Sequence, residues 1–152
     1  MLKLISPDKK IATKKIASAV FKTLDQIDSL SAEIIFVSAN EIKELNKNLR
    51  NVDSVTDVLS FPTLDGICGK VISPGEFKTE RERKTLNLGS IVLCEEKISE
   101  QAKEIGHGKV RERTYLIVHG LMHLFGYDHV NEEDKRVMRR MEKRALQLLG
   151  IE

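Results

Sequence analysis

Three of the chain's four histidines fall within eleven residues, His119-Gly120-Leu121-Met122-His123-Leu124-Phe125-Gly126-Tyr127-Asp128-His129. His119 and His123 are four positions apart, which on a helix places them one turn apart on one face. Gly126 follows, and glycine ends helices cheaply by entering the left-handed conformation. A reversal there swings His129 back beside the pair, so that three imidazoles converge with one side open to water. Catalytic zinc sites commonly have three protein ligands and a water in the fourth position, and that water becomes a nucleophile near neutral pH.

The spacing His-x3-His-x2-Gly-x2-His is also that of the metzincin proteases, but Gly120 stands where they carry the glutamate that serves as general base. A lone histidine on an apolar helix often does no more than pack in a core. Three at this spacing, with a glycine at the turn, point to a metal. Leu121, Met122, Leu124 and Phe125 between them read as core.

The elements that must position these residues follow from composition and periodicity. At 152 residues the chain has the size of one domain with a single sizeable core. Hydrophobic residues make up 41% and charged residues 32%, with a net charge of +2. This is the balance of a folded globular protein rather than a disordered one, and overall charge alone does not mark a nucleic-acid binder. No run reaches the length of a membrane helix, and the first residues are too short in apolar side chains for a signal peptide. Cys68 and Cys94 make no disulfide framework and read as buried or half-buried thiols. A cytoplasmic location is the expectation.

Residues 2–5 suggest an edge strand, and Ser6-Pro7-Asp8 a turn or helix start. An amphipathic helix is expected over 8–25 and buried strands over 33–38 and 88–94. Between those strands the pattern predicts a helix over 41–49, capped by Asn40, and a short strand over 56–61 ended by Pro62. Residues 63–87 are interrupted by glycines and Pro74, and the mixed-charge run 76–84 within them reads as a solvated loop or hairpin. Helices follow over 95–106, 109–125 and 132–149. The second of these is apolar nearly all round its later half and is expected at the centre.

The result is an α+β class: a small mixed sheet of about four strands packed with about five helices, the histidine motif lying on a central helix and the turn after it. The last helix sets an apolar stripe of Val137, Met138, Met141, Ala145, Leu148 and Leu149 opposite Lys135, Arg136, Arg139, Arg140, Lys143 and Arg144. Those cations suit either a solvated face or contact with RNA phosphates.

Taken together, these residues resemble the YbeY family of ribosomal RNA maturation factors. The His119–His129 stretch resembles its His-Gly-x-x-His-Leu-x-Gly-Tyr-Asp-His signature. Leu45-Asn46-Lys47-Asn48-Leu49-Arg50, Asp53 and Thr56-Asp57-Val58-Leu59-Ser60-Phe61-Pro62 resemble the segment leading into its central strand. Leu88-Gly89-Ser90-Ile91-Val92-Leu93-Cys94 resembles a further strand. Val55 stands where the family usually has proline, and Ser90 where it usually has aspartate.

The resemblance implies a single-strand-specific metallo-endoribonuclease. Such an enzyme acts in 3′-end maturation of the small-subunit (16S) ribosomal RNA and in late ribosome quality control. Its partners would be single-stranded ribosomal RNA and the small ribosomal subunit. One Zn2+ ion would be held by His119, His123 and His129, and Arg50 would serve as the functional arginine. By spacing alone Arg50 reads as a surface arginine complementing a helix end, while its planar fork would suit the scissile phosphate.

Asp128 reads as a structural group or a carboxylate that accepts from a metal-bound imidazole. His107, between two glycines, reads as a loop or helix-end histidine. Two competing classes are a metallopeptidase, which lacks its glutamate, and a non-catalytic ribosome assembly factor with a structural metal. The latter would need a fourth ligand, with His107, Cys68 and Cys94 as distant candidates.

Overall fold

The computed structural model describes residues 1–73, 76–77, 81–82 and 84–151. Among the described residues five strands and five helices follow in chain order: β1 (Leu2–Ile5), α1 (Thr13–Thr23), β2 (Leu30–Phe36), α2 (Ala39–Arg50), β3 (Val58–Pro62), β4 (Arg81–Glu82), β5 (Thr85–Leu93), α3 (Glu95–Ile105), α4 (Lys109–Leu124) and α5 (Glu132–Leu148). The sheet order is β1-β2-β5-β3, with the two-residue β4 also paired to β5. β1 and β2 run parallel, as do β2 and β5, while β3 and β4 pair antiparallel with β5. The α+β mixed sheet with five helices is thus the observed architecture, with β4 as an addition to the four strands expected. No helix among the described residues is long and apolar enough to cross a membrane.

Several boundaries differ from the sequence expectation, each for a local reason. Ser6 and Asp8 close a tight turn, Ser6 Oγ accepting from the Asp8 N–H at 3.1 Å and Asp8 Oδ1 from the Lys10 N–H at 2.9 Å, so α1 begins only at Thr13. β2 begins at Leu30 because Leu30, Ala32 and Ile34 alternate inward. Ser38, not Asn40, caps α2: its hydroxyl accepts from the Glu41 N–H, and the Glu41 carboxylate accepts from the Ser38 N–H, a reciprocal capping box. The region expected to be irregular contains the β4–β5 hairpin. Of the mixed-charge run, residues 78–80 and 83 lie outside the described residues.

β5 starts three residues before the strand expected over 88–94 and carries a bulge within it. Leu86 and Leu88 face the main core, as do Ile91 and Leu93, so the two-residue period slips by one between them. The register against β2 shifts at this point, Ser31 pairing with Asn87 and Glu33 with Ser90. Gly89 takes up the bulge at φ +127°, and a Cβ there would lie 2.1 Å from the Phe61 carbonyl oxygen. The bulge keeps both halves of the strand facing the same core.

That main core lies between the sheet and helices α1, α4 and α5. A smaller cluster of Ile42, Leu59, Val92 and Cys94 packs α2 on the other face. α4 is central as expected, with Leu116, Ile117, Val118, Leu121, Met122 and Leu124 all buried. On α5 the stripe is turned slightly from the expected one: Met138 and Ala145 are buried and Leu146 packs on the core, while Leu148 is exposed.

Candidate metal centre

α4 carries His119 and His123 on one face, and the chain then turns back. Phe125 ends the helix, and Gly126 follows at φ +92°. A Cβ on Gly126 would come within 2.5 Å of the Cys68 backbone nitrogen, so the turn is packed tightly against the 66–69 loop. The Gly69 N–H donates to the Phe125 carbonyl at 2.7 Å and fixes that contact.

The reversal brings His129 to the helical pair. One ring nitrogen from each of His119, His123 and His129 lies within 4.8 Å of the others. The His119 and His123 rings are edge-on at 4.7 Å between centroids, and His123 and His129 at 5.0 Å.

Hydrogen bonds decide which nitrogens face the centre. Nδ1 of His123 lies 3.0 Å from the Tyr127 carbonyl oxygen. A carbonyl only accepts, so Nδ1 carries the hydrogen and Nε2 keeps its lone pair. Nδ1 of His119 lies 2.7 Å from Oε2 of Glu142, a carboxylate only 4% exposed on α5. It likewise donates and leaves Nε2 free. Orientation of this kind is what metal-binding histidines require.

Burial holds the His123 imidazole below its ordinary pKa, and the neighbouring His119 and His129 rings push the same way against the Tyr127 carbonyl. The neutral, ligating form therefore persists to lower pH. Donor type, tautomer and clustering all fit a divalent metal of zinc's preferences.

Among the described hydrogen bonds Asp128 does not accept from an imidazole; its Oδ1 accepts from the backbone N–H of His129 at 2.7 Å and stiffens the turn. The carboxylate that does is Glu142, which the sequence reading passed over. Its signal was a single acid at position 142, on the inward stripe between Met138 and Ala145. Beside it, burial and the Glu142 and Glu112 carboxylates raise the Tyr115 hydroxyl to about 12.

Arg50, the last residue of α2, lines the same cavity of about 460 Å3 as the three histidines, although β3 and more than sixty residues of chain separate them in sequence. Asn51 ends α2 in the left-handed conformation. Asn46 Nδ2 donates to the Ser54 carbonyl at 3.0 Å, tying the following loop back under the helix end.

His107 sits just past the Gly106 cap of α3, Cys94 is buried and Cys68 is exposed, the last departing from the expected burial. Among the described residues none of these joins the three-histidine group. Gly120 explains the missing protease base: a Cβ there would lie 2.9 Å from Ile91 Cγ2, so this position faces the sheet. A glutamate would enter the core and not the cavity.

An α+β fold with a three-histidine cluster at the end of its central helix, and an arginine lining the same open cavity, defines the class: a protein whose histidines could hold a metal ion. Comparison with known proteins identifies the group. The family described as Endoribonuclease YbeY matches residues 4–150. A protein named Endoribonuclease YbeY from Clostridium botulinum (strain 657 / Type Ba4) is 45% identical over 123 residues, covering 78% of this chain and 74% of its own. Another of that name from Caldicellulosiruptor bescii is 39% identical over 142 residues, covering 93% and 87%. The solution structure of a Thermotoga maritima protein, 25% identical, superposes with a TM-score of 0.59 over 99% of this chain and 90% of that one. The chain belongs to the YbeY endoribonuclease family.

Proposed function

We propose that this chain is a zinc-dependent endoribonuclease that cuts single-stranded RNA in the 3′-end maturation of small-subunit ribosomal RNA and in late ribosome quality control. It would act in the cytoplasm on ribosomal RNA and the small ribosomal subunit, as one folded domain over residues 1–152. The observation that carries this reading is the meeting of His119, His123, His129 and Arg50 in one open cavity of a chain that belongs to this family.

One Zn2+ ion would be held by the three histidines, and when bound it supplies Lewis-acid charge to a phosphodiester and an acidified water. The chain's own residues do the rest. Glu142 and the Tyr127 carbonyl hold the His119 and His123 rings with Nε2 inward. Asp128 holds the backbone from which His129 projects. Arg50 offers a planar fork to the scissile phosphate and stabilises the charge that grows on its oxygens. Either water or the RNA's own 2′-hydroxyl then attacks phosphorus. A single 2′-deoxy nucleotide at the cleaved position separates the two, because only attack by water survives it.

The test is cleavage of an end-labelled single-stranded RNA by zinc-loaded protein, beside identically prepared variants. His123→Ala is expected to lose both metal and cleavage. Arg50→Ala is expected to keep its metal and to lose turnover by roughly a hundredfold or more. Unchanged cutting by His123→Ala would refute the metal-centre reading, and loss of metal from Arg50→Ala would make Arg50 structural.

A further inference from the structure

The cations of α5 do not form one uniform face. Arg136 pairs with Glu133 on the outer surface. Lys135, Arg139 and Lys143, each four residues from the next, instead line a trough between α4 and α5. Its floor is half-buried Tyr115, and Glu142 lies at its wall.

The trough is continuous with the metal centre. A cavity of about 160 Å3 is lined by Tyr115 and Arg139 and also by His119 and His129, both of which border the Arg50 cavity. On its far side it shares Tyr115, Arg139 and Glu142 with a depression of about 580 Å3 that Lys143 borders. The Tyr115 ring follows His119 at 6.0 Å with 28° between planes.

We propose that this trough is a second RNA-binding segment, which takes the strand flanking the scissile phosphate: a base stacks on Tyr115 and the Arg139 guanidinium, and phosphates to either side of it, about two steps apart, lie against Lys135 and Lys143. This rests on the endoribonuclease reading and extends it. Aromatic and guanidinium planes combined with a charged groove are how single strands are held without sequence readout. Lys135 and Lys143, eight apart on the helix, are separated by roughly 12 Å, on the order of two phosphate steps in an extended strand, with Arg139 midway. A merely solvated face would not converge on an aromatic floor or lead into a catalytic cavity. Lys135 also contacts exposed Glu132 at 3.3 Å, a surface pair weak enough for phosphate to displace.

The test is fluorescence anisotropy of a labelled, mixed-sequence single-stranded RNA of about twelve nucleotides, with zinc-loaded protein across a salt series. Arg139→Glu/Lys143→Glu is expected to weaken binding by about tenfold or more and to flatten the salt dependence by one to two ion equivalents. Lys14→Glu/Lys22→Glu on α1 makes the same change of charge beside a separate cavity and is expected to have little effect. Tyr115→Leu is expected to lose roughly fivefold to a hundredfold in affinity, with Tyr115→Phe restoring it and thereby separating stacking from folding.

Parent-like binding by the reversed α5 variant, or equal loss in the α1 variant, overturns the trough. If the parent binds and cuts RNA while the trough variants match it, only this inference fails. If the parent binds no RNA, the endoribonuclease reading fails with it.

Discussion

At the scale of single residues, a carboxylate 2.7 Å from an imidazole nitrogen fixes which ring nitrogen of His119 is free to bind metal. Glu142 is buried in an otherwise apolar stripe, where an unpaired carboxylate would be costly. Its charge-assisted bond to the His119 N–H offsets that cost and at the same time raises the basicity of the opposite nitrogen. Glu142→Gln keeps an acceptor but removes the charge. It is expected to weaken zinc affinity by roughly tenfold to a hundredfold, read by competition with a chromophoric chelator. Parent-like affinity would reduce Glu142 to a packing residue.

At the scale of elements, the cavity depends on how β5 presents itself to its neighbours. α4 packs against the sheet where Gly120 meets Ile91, and β3 pairs with β5 across the bulge at Gly89. Gly89→Ala must fit a methyl against the Phe61 carbonyl at a backbone angle that side chains rarely adopt. A loss on the order of 2–3 kcal/mol is expected in urea unfolding; an unchanged midpoint would show that β3 shifts to make room. The continuous apolar run Ile91-Val92-Leu93 marks a buried strand over 88–94 from sequence, which covers β5 from Leu88 onward. Residues 85–87 lie ahead of that run with one apolar side chain, Leu86, next to the mixed-charge stretch, so the pattern does not reach them, although they alternate in register with Leu88.

At the scale of the whole molecule, the metal would join the end of α4 to the turn after it, while Glu142 ties α4 to α5. Removing zinc by chelation is therefore expected to lower the melting temperature. The linkage is about 4 kcal/mol when free metal exceeds its dissociation constant a thousandfold, or roughly 8–16 °C for a domain of this size. The two forms compared by differential scanning calorimetry test this, and coincident melting would mean that the cluster holds no metal in solution. A single cooperative transition is the accompanying expectation for one domain.

The sequence by itself determined what depends on short spacing. Helical geometry alone puts His119 and His123 on one face, and a glycine after a helix end supplies the reversal that His129 needs. The hydrophobic periodicity likewise marked α4 as central, because an element apolar on nearly every side has to be surrounded. Only the tertiary structure decided the juxtapositions that span the chain: Glu142 against His119, Arg50 in one cavity with the histidines, and Arg139 and Lys143 in one trough with Tyr115. No local rule specifies these pairs, because each depends on how α2, α4 and α5 settle on a sheet whose strand order and bulge are fixed by packing at long range.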